Sequence, residues 1–208
     1  FDEATAMMRD ILRLTREAWG PHSPLTLSSK QNLADLYLRT DRPQQALEQM
    51  EPVVVWRERL LGEDHSDVLN ARYIAASAAL KTGQPEKALE HLQPAIDIRR
   101  EQLEPDDPNL RETLRLAADI HQKMGDSQGE LAHRQEAIDP LIDGQETPGQ
   151  DALESAIRLL KLYGDQGASE HAQTLAKTIE GWLEDGDEEF DELRARYRRV
   201  TVTESAAE

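Results

Sequence analysis

The sequence predicts an all-α chain of stacked antiparallel helix hairpins, and three observations predict it. Ala, Leu, Glu, Gln and Arg dominate the 208 residues, while aromatic residues make up only 4%. The common residues are the strongest helix formers, and the residues that strands favour are scarce. Second, the chain aligns with itself in steps of 42 residues, without a gap, from Phe1 to about Trp182. Such self-similarity signals a repeat architecture. Third, small and turn-forming residues recur in phase. Gly83, Gly125 and Gly167 share a column with Asp41; Ala34, Ala76 and Ala118 share another, continued by Leu160. Ala4, Ala46, Ala88 and Ala172 share a third, broken only by Glu130.

Each 42-residue row reads as two helices. The first starts behind a capping residue: Ser23 before Pro24, His65 or Ser66 before Asp67, Asp107 before Pro108. A capping side chain accepts from the free N–H groups of the first turn, and proline there has no N–H to lose. Leu33, Leu36 and Tyr37 in one row, and Leu110, Leu114, Ala117 and Ala118 in another, recur at helical spacing. The Asp41, Gly83, Gly125, Gly167 column ends that helix in a left-handed turn. The second helix begins at Pro43, Pro85, Ser127 or Ser169. Small Ala34 and Ala46, twelve residues apart across the turn, allow two helix axes to approach closely. One such hairpin cannot bury its apolar face alone, so neighbours must stack.

Two features depart from a plain repeat. Pro52 and Pro94 fall inside second helices, one turn past the core column of Met50 and Leu92. A mid-helix proline frees a carbonyl and costs about 3 kcal/mol unless a kink absorbs it, so a matching bend is expected in both. The chain also opens on a second helix, since Phe1 to Ala4 align with Pro43 to Ala46. Its apolar face lacks a partner, which suggests a segment of a longer protein with further repeats upstream. At the other end Gly186 is expected to break the helix. A capping helix follows over 187–200, with Phe190, Leu193, Tyr197 and Val200 on one face. Arg194, Arg196, Arg198 and Arg199 suit its C-terminal half, and residues 201–208 are expected to be disordered.

The phrase Asn32-Leu33-Ala34-Asp35-Leu36-Tyr37, a turn, then Ala46-Leu47, resembles a tetratricopeptide repeat. The 42-residue length and the linker Leu61-Gly62-Glu63-Asp64-His65-Ser66-Asp67 are similar to the kinesin-light-chain-like subtype. The resemblance implies a right-handed α-solenoid. It divides the chain into a partial repeat over 1–19, repeats over about 24–62, 66–104 and 108–143, and a degenerate repeat over 150–185.

Composition narrows the function. The formal charge of −17 repels phosphate backbones and anionic membrane surfaces, so neither nucleic acid nor membrane is expected as a partner. With no cysteine there is no disulfide, zinc-thiolate site or cysteine nucleophile. The six histidines form no His-Glu-x-x-His pattern. His91 and His133 are column-mates on successive second helices, read as exposed surface residues. His65 belongs to the linker, where it packs or caps. No nucleophile, base and orienting group assemble, and no cofactor is expected, so an enzyme is the least favoured reading.

The family resemblance implies that function lies on a concave face lined by first helices. Carried over row by row, the groove positions are Gln31, Asn32, Asp35 and Arg39, then Asn70, Tyr73, Ser77 and Lys81, then Glu112, Arg115, Asp119 and Lys123. Arg158 and Lys161 continue the face in the weaker fourth row. Arg39, Lys81 and Lys123 form a basic column suited to acidic groups on an extended peptide, or else pair locally. Tyr73 with Arg115 offers an aromatic and guanidinium contact of the hot-spot kind. An acid at Asp35 speaks against capture of a C-terminal carboxylate. The leading expectation is a non-catalytic cytoplasmic module that binds a peptide or helix of a protein partner. The alternative is an architectural spacer or self-association domain, joined through the N-terminal end, within a larger multidomain signalling protein. Arg outnumbers Lys 18 to 6, which suggests a GC-rich bacterial genome.

Overall fold

The structure, a computed structural model, describes residues 2–142, 147–185 and 190–205. Expectations attached to Phe1, Gly186, residues 187–189 and residues 206–208 lie outside them. The described residues form ten helices and no strand: α1 (Asp2–Trp19), α2 (Pro24–Arg39), α3 (Pro43–Leu61), α4 (Ser66–Lys81), α5 (Pro85–Gln102), α6 (Pro108–Met124), α7 (Ser127–Ile142), α8 (Gln150–Asp165), α9 (Ser169–Asp185) and α10 (Asp191–Ser205). The chain divides into two compact units, Phe1–Gln102 with α1 to α5 and Leu103–Glu208 with α6 to α10.

Helix starts follow the capping chemistry. Ser23 accepts from the Thr26 N–H at 3.2 Å. His65 is the cap of α4, its Nδ1 accepting from the Asp67 N–H at 3.1 Å, and Asp107 accepts from the Asn109 N–H at 2.7 Å. The turns are equally regular. Asp41, Gly83, Gly125 and Gly167 all have left-handed backbone, with φ of 55°, 75°, 74° and 69°. Each is followed by the same return bond: Arg42 N–H to Tyr37 carbonyl, Gln84 to Ala79, Asp126 to His121, and Ala168 to Tyr163, at 2.8 to 3.0 Å. That bond fills a carbonyl orphaned at the helix end, and glycine takes the left-handed position without a Cβ clash.

In the first unit the alanine columns are the seam of each hairpin. Ala34, Ala46, Ala76 and Ala88 are all fully buried, as are Met50, Val53, Leu92 and Ile96 beside them. Helices α3 and α5 run unbroken through Pro52 and Pro94, and α7 likewise contains Pro140, which stands outside the repeat column. The buried face of α3 also carries Arg57, whose guanidinium donates to Gln31 Oε1 and to the Asp67 carbonyl.

In the second unit an apolar cluster joins α7, α8, α9 and α10, with Ile138, Leu153, Leu159, Leu160, Leu175 and Ile179 at its centre. Helix α10 closes this cluster with Leu193 and Tyr197. The Tyr197 hydroxyl donates to Glu180 at 2.8 Å, and Arg194 donates to the Leu183 carbonyl at 2.7 Å. Helix α10 runs to Ser205.

Candidate functional site

Helices α2 and α4, the first helices of their hairpins, touch directly in the first unit. Asn32, Arg39, Asn70 and Lys81 are exposed on them, while Gln31, Asp35, Tyr73 and Ser77 are half-buried. Gln31 is occupied by the bond from Arg57. The Asp35 side chain makes no hydrogen bond among the described residues. Burial pushes its carboxyl above the usual range, and Arg39 pulls the other way without cancelling it. Arg39, Lys81 and Lys123 each sit exposed in the last turn of a first helix, where the carbonyl end of the helix favours a cation. That placement gives the basic column a local role in addition to any role in binding.

In the second unit the expected groove positions divide. Glu112 and Lys123 are exposed. Asp119 instead accepts a hydrogen bond from Arg134 at 2.7 Å, and Arg158 chelates Glu130 with bonds of 2.7 and 3.0 Å. Arg134 also donates to Glu130 at 3.1 Å and to Ser155 at 3.1 Å. The carboxylate at the centre is 2% exposed. Burial alone would raise its pKa, but the Arg158 and Arg134 bonds and charges outweigh it, holding the group below the usual glutamate range. Glu130 and Arg134 were not among the expected site residues. Glu130 is the break in the alanine column, and Arg134 stands in the Met50 and Leu92 column, so the signal was two neighbouring exceptions in one row.

Beside this network lies a pocket of about 380 Å³ between α6, α7 and the start of α8. Ala137 and Ile138 form an apolar wall, Ala152 and Ser155 line the α8 side, and Arg111 and Arg115 stand on the α6 side. Arg115 forms ion pairs with Asp119 at 3.7 Å and with Asp151 at 3.9 Å, both longer than a hydrogen bond. Arg111 spends its Nε on the Asp106 carbonyl at 3.1 Å; its terminal nitrogens make no hydrogen bond among the described residues. Tyr73 belongs to the first unit and Arg115 to the second, so each is placed within its own unit.

His91 and His133 are more buried than expected. His91 is half-buried, and its Nε2 is enclosed with no hydrogen-bond partner among the described residues. His133 is half-buried too, stacked on His121 with centroids 5.0 Å apart. Among the described residues, no group of three or more His, Cys, Asp or Glu side chains is placed to hold a metal ion, and no helix is long and apolar enough to cross a membrane.

The hairpins, their shared return bond and their alanine seams define the class: an all-α repeat solenoid. Two models of the tetratricopeptide repeat match the chain, one over residues 26–67 and one over residues 67–139, together more than half of its length. The chain belongs to the tetratricopeptide repeat family, whose fold is that of protein–protein interaction modules. Among solved structures it is similar to the nearly identical TPR-like repeats of a candidate kinesin light chain from Podosopora anserina. That match has 22% identity and a TM-score of 0.74, covering 87% of this chain and 86% of the other. It is similar also to BtubC (BKLC) from P. vanneervenii, with 18% identity and a TM-score of 0.71, covering 89% of this chain and 75% of the other. At these identities the likeness is one of fold. No curated protein matches the sequence.

Proposed function

We propose that the chain is a non-catalytic module that holds a peptide or helix of a partner protein against its first helices. The observation that carries this reading is the pocket between α6, α7 and α8. It pairs an apolar wall with Arg111 and Arg115, two guanidinium groups whose hydrogen-bonding capacity is incompletely used. Binding hot spots favour this combination of desolvated apolar surface and arginine. Helices already fixed in their hairpins need little ordering when a ligand arrives, which preserves binding energy. In the first unit, taken by itself, Asp35 suits a basic group of a protein partner, because a half-buried carboxylate whose side chain makes no hydrogen bond gains most from a cation. Cytoplasmic residence, with neither nucleic acid nor membrane as partner, belongs to the same proposal.

The test is a random peptide library displayed on phage and panned against the wild-type chain. Selected peptides are then titrated against Arg115→Ala, Tyr73→Ala and Asp35→Asn variants. The reading expects at least one variant to lose about tenfold in affinity, the ~1.4 kcal/mol typical of a hot-spot contact, with helical content unchanged. Peptides that bind all three variants as well as wild type would move the site off these faces. A second reading, the architectural one, is favoured by a different observation, the bare face of α1, where Met7, Ile11 and Leu14 are exposed.

A further inference from the structure

The second unit holds another cavity, of about 440 Å³, between α7, α8 and α9. Helix α7 turns Ala137 and Ile138 to the pocket described above, and Gln135, Asp139 and Ile142 to this one. Leu159 of α8 and Leu175 of α9 give the cavity apolar surface. Tyr163 lines it too, its ring tilted against His171 with centroids 5.5 Å apart. Asp139 and Glu170 are its carboxylates, and among the described residues no Lys or Arg lines it. The Tyr163 hydroxyl makes no hydrogen bond among the described residues. Burial, and after it the charge of Asp139, raise that hydroxyl above the usual tyrosine range.

The first unit contains the same arrangement already satisfied. Three rows earlier, Tyr37 is the column-mate of Tyr163, and Arg9 is the column-mate of Gln135. Arg9 reaches across from α1. Its Nε donates to the Tyr37 hydroxyl at 3.0 Å, and its guanidinium carbon lies 5.8 Å from the ring centroid. A guanidinium so placed combines a hydrogen bond with attraction to the π-face. In the second unit the positions of Arg9, Arg13 and Arg16 hold Gln135, Asp139 and Ile142 instead. The tyrosine recurs, its arginine does not, and a carboxylate stands in one of the arginine positions.

We propose that this cavity takes the arginine side chain of a partner protein, its guanidinium lying against Tyr163 as that of Arg9 lies against Tyr37 and pairing with Asp139 and Glu170. Charge supports that occupant: two carboxylates line the cavity with no Lys or Arg beside them in the lining, in a chain of net charge −17. Leu159 and Leu175 suit the apolar stem of the same side chain. The site goes beyond the peptide-binding reading above, whose pocket offers guanidinium groups where this one receives one.

The test is an NMR titration of the 208-residue chain with Nα-acetyl-arginine methylamide, beside the corresponding lysine and citrulline compounds. Citrulline keeps the shape of arginine and removes its charge. Amide shifts in α7, α8 and α9 should saturate in the millimolar range, with affinity at least about fivefold lower for either of the other two compounds. Asp139→Asn should also lower the affinity about fivefold. Gln135→Arg supplies the guanidinium from within, as Arg9 does in the first unit, and should abolish binding. Arg115→Ala should leave the titration unchanged, which separates this site from any failure of the peptide-binding reading. No saturable shift, equal affinity for lysine or citrulline, shifts scattered over the whole surface, or full affinity in Asp139→Asn or Gln135→Arg overturns the proposal. So does sedimentation showing a dimer that the arginine compound dissociates, which would assign the cavity to an arginine of a second copy.

Discussion

Where the first unit places Ala46 and Ala88, the second places Glu130; where the first places Met50 and Leu92, the second places Arg134. All six are buried, so the register filled by an alanine seam in the first unit is filled by an ionic cluster on α7 of the second, and the buried Ala172 returns the alanine on α9. The turns do not change: the bond from Asp126 to His121 repeats those from Arg42 to Tyr37 and from Gln84 to Ala79. The backbone framework is therefore set by turns and caps, and it tolerates a charged interior wherever the charges satisfy one another. Glu130 illustrates the condition, with Arg134 at 3.1 Å and Arg158 at 2.7 Å on one oxygen and Arg158 again at 3.0 Å on the other.

The sharpest way to break this comparison is to remove one charge. Glu130→Ala leaves Arg134 buried without its central partner and should destabilise the second unit by about 3–5 kcal/mol in urea unfolding. Adding Arg134→Leu restores the residue types of the first unit's columns. The double variant should recover a large part of the loss, with a coupling of about 1–3 kcal/mol in the cycle. A double variant no better than the single would mean that the pocket side of α7 cannot repack as a seam. In the first unit Leu92→Ala should cost about 2–5 kcal/mol through cavity formation alone, with no dependence on salt.

Acid should separate the units as well. The Glu130 carboxyl is depressed in the folded state, so its stabilisation is complete above the ordinary glutamate value of 4.5 and is lost as pH falls through the folded value. Asp35 is raised, so protonating it opposes that trend in the first unit. Amide exchange followed below pH 5 should thus show protection failing in α6, α7 and α8 before α2 to α5, and Glu130→Gln should remove the difference. The smallest effect concerns the turn column. Asp41 alone among its column-mates holds a left-handed conformation with a Cβ, so Asp41→Gly should raise stability by about 0.5–1 kcal/mol in thermal melts.

Much of this was legible because turns and caps are local. Ser23, His65, Asp107 and the Asp41, Gly83, Gly125, Gly167 column act on atoms within a few residues, and a sequence read in rows shows them directly. The ionic cluster was not, because Arg158 reaches Glu130 from 28 residues away, across two helices. Read singly, Glu130 resembles a worn repeat and Asp119 and Arg158 resemble open groove positions. Their pairing withdraws Asp119 and Arg158 from the groove and leaves Arg111 and Arg115 facing the pocket. The pocket itself needed the placement of Arg111, Ile138 and Ala152 on three separate helices relative to one another, which no periodicity encodes.

The most direct test of the binding account fills that pocket. Ala152→Trp, at a half-buried position on its wall, should lower the affinity of a library-selected peptide at least tenfold while circular dichroism stays unchanged. Unchanged affinity with the pocket filled would contradict the account and place binding elsewhere on the chain.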